Sequence, residues 1–164
     1  MRVVVASASK HGSTEGISEA IAERLHQLGH DAVAVRVSDV SELNGADAVV
    51  LGSAVYAGSW MKEATEFAET NAEALSRMPV WLFSSGPLGT EVHDDEEQPR
   101  QLAGLTETLK PRGHRVFFGA LDSSKLGFGE RMMVKAVKAP EGDFRDWSAI
   151  GGWANEIAAE LDED

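Results

Sequence analysis

The chain has 164 residues, 43% of them hydrophobic, and a formal net charge of -12. That length and apolar share suit one globular domain with a sizeable core and argue against wholesale disorder. The acidic balance disfavours binding to nucleic acid or anionic lipid and suits docking on a basic partner. With no cysteine, disulfides, thiolate nucleophiles and cysteine-ligated iron–sulfur or zinc sites are excluded.

Taken in chain order, residues 3–6 (VVVA) form a β-branched run that ends in the polar, small-residue stretch 7–13. Ile17, Ile21, Leu25 and Leu28 recur at helical spacing, and Gly29 stops that helix. Residues 32–37 alternate as a second strand, and residues 48–51 (AVVL) read as a short buried strand ending at Gly52 and Ser53. Ala64, Phe67, Ala68 and Leu75 mark a second helix. Residues 80–83 (VWLF), after Pro79, form the next buried strand. Leu102, Leu105 and Leu109 mark a third helix, residues 115–118 (RVFF) a last strand, and Trp147, Ile150, Trp153, Ile157 and Leu161 one face of a C-terminal helix.

Strands alternating with helices predict an α/β fold with a parallel sheet covered on both faces. Five strands in this length match a doubly wound order, and no linker long enough to divide the chain is present, so residues 1–164 are read as a single domain. No apolar run approaches the roughly 20 residues that span a bilayer. The N-terminal residues lack a signal-peptide pattern, so a cytoplasmic location is expected.

In such a sheet, ligands bind outside the carboxyl ends of the strands, near the switch in strand order. Three loops leave strands there. The first holds Ser9, Lys10, His11, Gly12, Ser13 and Thr14. Its hydroxyls can donate to phosphate oxygens, Gly12 lets the backbone turn, and the helix that follows presents its positive end to an anion. GxGxxG and GxxxxGK[ST] are both absent, which disfavours dinucleotide and P-loop sites and leaves a monophosphate. The bland alternative is a Ser/Thr helix cap with no ligand. The second loop runs from Gly52 through Ser53, Ala54, Val55, Tyr56, Ala57 and Gly58 to Trp60. Its glycines permit close approach to a flat ligand, and Tyr56 and Trp60 can stack on a ring; both are otherwise ordinary half-buried aromatics. The third loop, with Ser84, Ser85, Gly86, Pro87, Leu88 and Gly89, suits backbone bonds to a ring edge, or a plain turn.

Two stretches stand apart. Residues 90–98 (TEVHDDEEQ) form a dense acidic run without calcium-loop spacing, read as a solvated loop and not as a metal site. Residues 123–138 carry Lys125, Arg131, Lys135 and Lys138 beside Met132, Met133, Val134 and Val137. The expectation for that segment is an apolar face packed on the domain, in preference to a membrane or partner surface. No side chain stands out as an obligatory acid–base catalyst, and His11 and His93 read as solvent-exposed loop histidines.

These loops, in this order, resemble the flavodoxin family across essentially the whole chain, and the resemblance implies a flavodoxin-like fold and FMN as cofactor. It carries Ser9, Lys10, His11, Gly12, Ser13 and Thr14 over as ligands of the FMN phosphate, with one residue more between the first hydroxyl and the glycine than is usual. It maps the isoalloxazine contacts to Ser53, Ala54, Val55, Tyr56, Ala57 and Gly58, and to Ser85, Gly86, Pro87, Leu88 and Gly89, with backbone groups of Ala57 and Gly58 at the flavin N5 edge. Within the family the stretches GSAVYAGSWMKEATEF, RMPVWLFS, GALD and RMMVKAVK are similar to the flavodoxin-type, menaquinone-dependent protoporphyrinogen oxidases. Those oxidases have a long basic loop where this chain has Glu91, Asp94, Asp95, Glu96 and Glu97. An acidic loop repels propionates and anionic lipid by roughly 1 kcal/mol per reversed charge, and it lowers the potential of a nearby flavin. The leading expectation is therefore an FMN-binding redox protein that carries electrons to a redox partner protein or a quinone. The alternatives are a quinone-dependent protoporphyrinogen IX dehydrogenase and a non-redox binding module on the same fold.

Overall fold

The computed structural model describes residues 1–40, 43, 45–86, 99–138 and 140–164. Strands β1 (Arg2–Ala8), β2 (Asp31–Arg36), β3 (Ala48–Tyr56), β5 (Val80–Ser85) and β6 (Gly113–Phe117) form one parallel sheet in the order β2-β1-β3-β5-β6. A short β4 (Ser59–Trp60) folds back antiparallel on the end of β3. A separate two-stranded piece pairs β7 (Ala120–Leu121) with β8 (Gly142–Asp143). The α-helices of the described residues are α1 (Ser13–Gln27), α2 (Lys62–Thr70), α3 (Ala72–Leu75), α4 (Leu102–Leu109), α5 (Phe128–Val137) and α6 (Trp147–Asp162). No described helix is long and apolar enough to cross a membrane.

Side chains of a strand alternate between faces, and β1 shows the consequence. Val3 and Val5 enter one core with Ile17, Ile21 and Leu25 of α1 and Ile150, Trp153 and Ile157 of α6. Val4 and Ala6 enter the other with Phe67 of α2, Leu75 of α3 and Leu102, Leu105 and Leu109 of α4. The five parallel strands thus lie in the doubly wound order, with the reversal between β1 and β3.

Two of the differences from the sequence expectation have a visible cause. Strand β3 does not stop at Gly52 and Ser53 but runs to Tyr56. The Ser53 hydroxyl is satisfied inside the strand, donating to the Ala54 carbonyl at 2.8 Å and accepting from the Met61 amide at 2.9 Å. The second helix breaks at Asn71, whose side-chain amide donates to the Phe67 carbonyl at 2.9 Å and so competes with continuation of the helix.

Helix α6 starts at Asp146, whose Oδ1 accepts from the Ala149 amide at 3.0 Å. Asp146→Ala is expected to cost about 1 kcal/mol, read as a lower urea midpoint with unchanged slope.

Candidate cofactor site

The site starts where β1 ends. Gly12 sits at φ 88°, in the left-handed region, as the N-cap of α1, and no side chain caps the helix there. The first-turn amides of α1 are left to face the carboxyl edge of the sheet, together with the positive end of the helix. The loop is closed by Ser9, whose Oγ accepts from the Gly12 amide at 3.0 Å. Ser13 ties the loop sideways: its Oγ accepts from the Ala120 amide at 2.9 Å, and its carbonyl accepts from Arg145 Nη1 at 3.3 Å. Thr14 is buried on the first turn.

Lys10 and His11 meet a carboxylate from far along the chain. Lys10 Nζ lies 3.1 Å from Glu130 Oε1, and His11 Nε2 lies 2.6 Å from Glu130 Oε2. The hydrogen bond to His11, and then that to Lys10, hold the Glu130 carboxyl below the usual carboxylate range. Tyr56, at the end of β3, is half exposed, and Lys10 Nζ stands 6.0 Å from its ring centroid. Burial, and then the charge of Glu130, push its phenol above the ordinary 10.0, so it stays neutral at physiological pH.

Between these elements lies a cavity of about 480 Å³, within the usual range for small-molecule sites. It is lined by Ser9, Lys10, His11, Ser13 and Thr14 of the first loop, by Ala54, Val55 and Tyr56 of β3, and by Ser85 and Gly86 after β5. Met61, Gly119, Ala120, Leu121, Leu126, Glu130, Met133 and Val134 complete the wall. A Cβ on Gly86 would stand 3.1 Å from the Val55 carbonyl oxygen, so the strand ends approach each other as closely as a glycine allows. The residues fit FMN: a hydroxyl-rich, uncapped helix N-terminus at one end answers a phosphate, and apolar and small residues beyond it answer a flat ring.

Other expected residues fall elsewhere. Gly12 lines an adjoining groove of about 520 Å³ with Ser9, Lys10 and His11. Ser53 is fully buried in the bonds described above. Ala57 (φ 48°) and Gly58 (φ 72°) form the two-residue turn between β3 and β4, outside the cavity lining. Pro87, Leu88 and Gly89, the acidic run 91–97 and His93 lie outside the described residues.

Trp60 is not available to stack on a ring. It is 3% exposed, and its indole N–H donates to Ser84 Oγ at 2.8 Å. Gly52 likewise serves the core, because a Cβ there would collide with the Phe83 ring. The apolar face of α5 is not packed down: Phe128, Met132 and Met133 are 83%, 55% and 69% exposed, and Met133 and Val134 border the cavity instead. Of the residues that sequence reasoning passed over, those at 119–121 were marked by the GALD stretch, which follows β6 and carries β7. Glu130 carried no local signal.

Ser84 Oγ also lies 2.9 Å from His114 Nε2. Burial holds the His114 imidazole below the ordinary 6.5. A depressed folded value gives stability that is present above 6.5 and lost as pH falls through the folded value. The thermal midpoint is therefore expected to drop as pH falls below 6.5, and His114→Gln should flatten that slope in a melting series.

Comparison with known proteins agrees with this geometry. The family model described as flavodoxin domain matches residues 4–148. The chain is 23% identical, over an alignment 172 positions long, to the protoporphyrinogen IX dehydrogenase (quinone) of Escherichia coli strain K12, covering 96% of this chain and 95% of that protein. A flavodoxin from the domain Archaea superposes with a TM-score of 0.68 at 16% identity, covering 99% of each chain. A flavodoxin variant of Pseudomonas aeruginosa gives 0.61 at 17% identity, again over 99% of each chain.

Proposed function

Because the chain belongs to the flavodoxin domain family, with FMN as cofactor and electron transfer as activity, we propose that it passes flavin electrons to a quinone at the open rim of its cavity. The observation that carries this reading is the joining of an uncapped, hydroxyl-lined helix N-terminus to an apolar cavity at the β1/β3 switch point, with Tyr56 and Met133 exposed along the wall. In this reading the α1 amides and the hydroxyls of Ser9, Ser13 and Thr14 hold the phosphate, with Gly12 setting the turn. Ala54, Val55, Tyr56, Ser85 and Gly86 flank the ring. Bound FMN supplies one- and two-electron chemistry. The protein positions the ring and leaves one edge accessible to a flat apolar acceptor. A single domain spanning residues 1–164 and a cytoplasmic location belong to the same reading.

The test is anaerobic reduction of the FMN-loaded protein followed by rapid mixing with menadione or with oxidised cytochrome c at equal concentration. Faster reoxidation by menadione supports the quinone. Reoxidation by the protein acceptor alone would replace the quinone with a protein partner.

A second reading has a specific observation in its favour. A groove of about 600 Å³ shares Leu121 and Val134 with the cavity and carries Arg131, Lys135 and Lys138. Cations beside a flavin site suit a substrate with carboxylates, as protoporphyrinogen IX is. The FMN-loaded protein with menadione would then raise protoporphyrin fluorescence above the spontaneous rate, and equal rates would remove this reading.

A further inference from the structure

Helix α5 has little to hold it in place by burial. None of its described side chains is buried, and its apolar residues Phe128, Met132 and Met133 face solvent over most of their surface. A helix of this length is marginal in water without tertiary contacts. Among the described residues its other side-chain bonds are local, since Arg131 donates to the carbonyls of Ser123 and Ser124, just ahead of the helix. Glu130 reaches away. Among the described residues, its carboxylate makes the side-chain bonds and ion pairs that join α5 to the β1–α1 loop, one oxygen to Lys10 and the other to His11.

We propose that Glu130 is a positioning residue that clamps α5 onto the phosphate loop and thereby holds Met133 and Val134 as the outer wall of the flavin cavity. What the wall encloses rests on the FMN reading above; the clamp itself does not. Lys10 and His11 are neighbours in one tight loop, so a single carboxylate can neutralise the ammonium and orient the imidazole together. Both side chains then serve the clamp, and phosphate recognition falls to the amides and hydroxyls of residues 9–14. Flavin retention should therefore depend on Glu130 through the wall, which meets the ring, and not through charge at the phosphate.

The experiment compares the wild type with Glu130→Ala and Glu130→Gln. Hydrogen exchange is measured on the protein alone, and dissociation rates are measured for FMN and for riboflavin. The clamp predicts exchange in residues 128–137 faster by about 5- to 10-fold, as expected for loss of two partly exposed ionic contacts. Amides of α1 and α6 should be unchanged. FMN and riboflavin should both leave faster, by similar factors. Unchanged exchange in α5 would overturn the proposal. So would a change in FMN release with riboflavin untouched, which would assign Glu130 to the phosphate charge. If the wild type retains neither flavin, the FMN reading fails, and the exchange rates alone decide the clamp.

Discussion

Gly12→Asp is expected to weaken FMN binding by about 100- to 1,000-fold while moving the thermal midpoint by no more than about 4 °C. A side chain at residue 12 has room, since a Cβ built there meets no atom within 4 Å. The left-handed backbone costs an L-residue about 1 kcal/mol. A carboxylate at the positive end of α1 returns about 0.3–1 kcal/mol, so folding is nearly unaffected. Binding is not spared. A carboxylate at the N-cap competes for the first-turn amides that the phosphate needs and repels it. Charge-assisted hydrogen bonds are worth about 1.5–3 kcal/mol each. Losing two near the lower end of that range, about 3–4 kcal/mol together, gives the quoted factor at about 1.4 kcal/mol per decade. Riboflavin, which lacks the phosphate, should lose no more than about threefold. Flavin fluorescence titrations of both ligands check this, and equal losses for the two would place the phosphate elsewhere.

Gly52→Ala is expected to cost stability, about 3 kcal/mol, and to lower the midpoint by about 6–12 °C. The added methyl falls on the Phe83 ring. That ring is fully buried, with centroids 6.0 Å from Phe117 and 6.2 Å from Trp153, so it has nowhere to go. Phe83→Leu should make room, and the double variant should be more stable than the sum of the single changes predicts. Denaturant melts of the four proteins give the coupling directly. Loss of FMN affinity at unchanged stability would instead return Gly52 to the flavin.

The same residue shows where sequence reasoning reaches its limit. Gly52 and Ser53 look like a strand end because both residue types favour turns. What keeps them in β3 is non-local: the Phe83 ring of β5 for the glycine, and the Met61 amide for the serine. Trp60 looked available for a ligand because its partner, Ser84, lies 24 residues away on another strand. The parallel strands were legible because strands buried on both faces are continuous apolar runs, as in residues 48–51 and 80–83. The first loop was legible because its hydroxyls, glycine and helix start are adjacent in the chain. The far wall was not. Glu130 meets His11 across 119 positions, and no periodicity or spacing announces a pair so separated. The Met/Val segment was singled out, but spacing does not tell a face that packs on the core from one that borders a cavity.

The account stands most directly on whether this cavity holds FMN as a redox group. The purified protein should be mixed with excess FMN, freed of unbound flavin by gel filtration, and titrated anaerobically with dithionite while its absorption spectrum is followed. The account predicts a yellow protein that retains an equimolar amount of FMN, bleaches on reduction and recovers its spectrum on reoxidation. A folded protein that leaves the column colourless after exposure to FMN would contradict it.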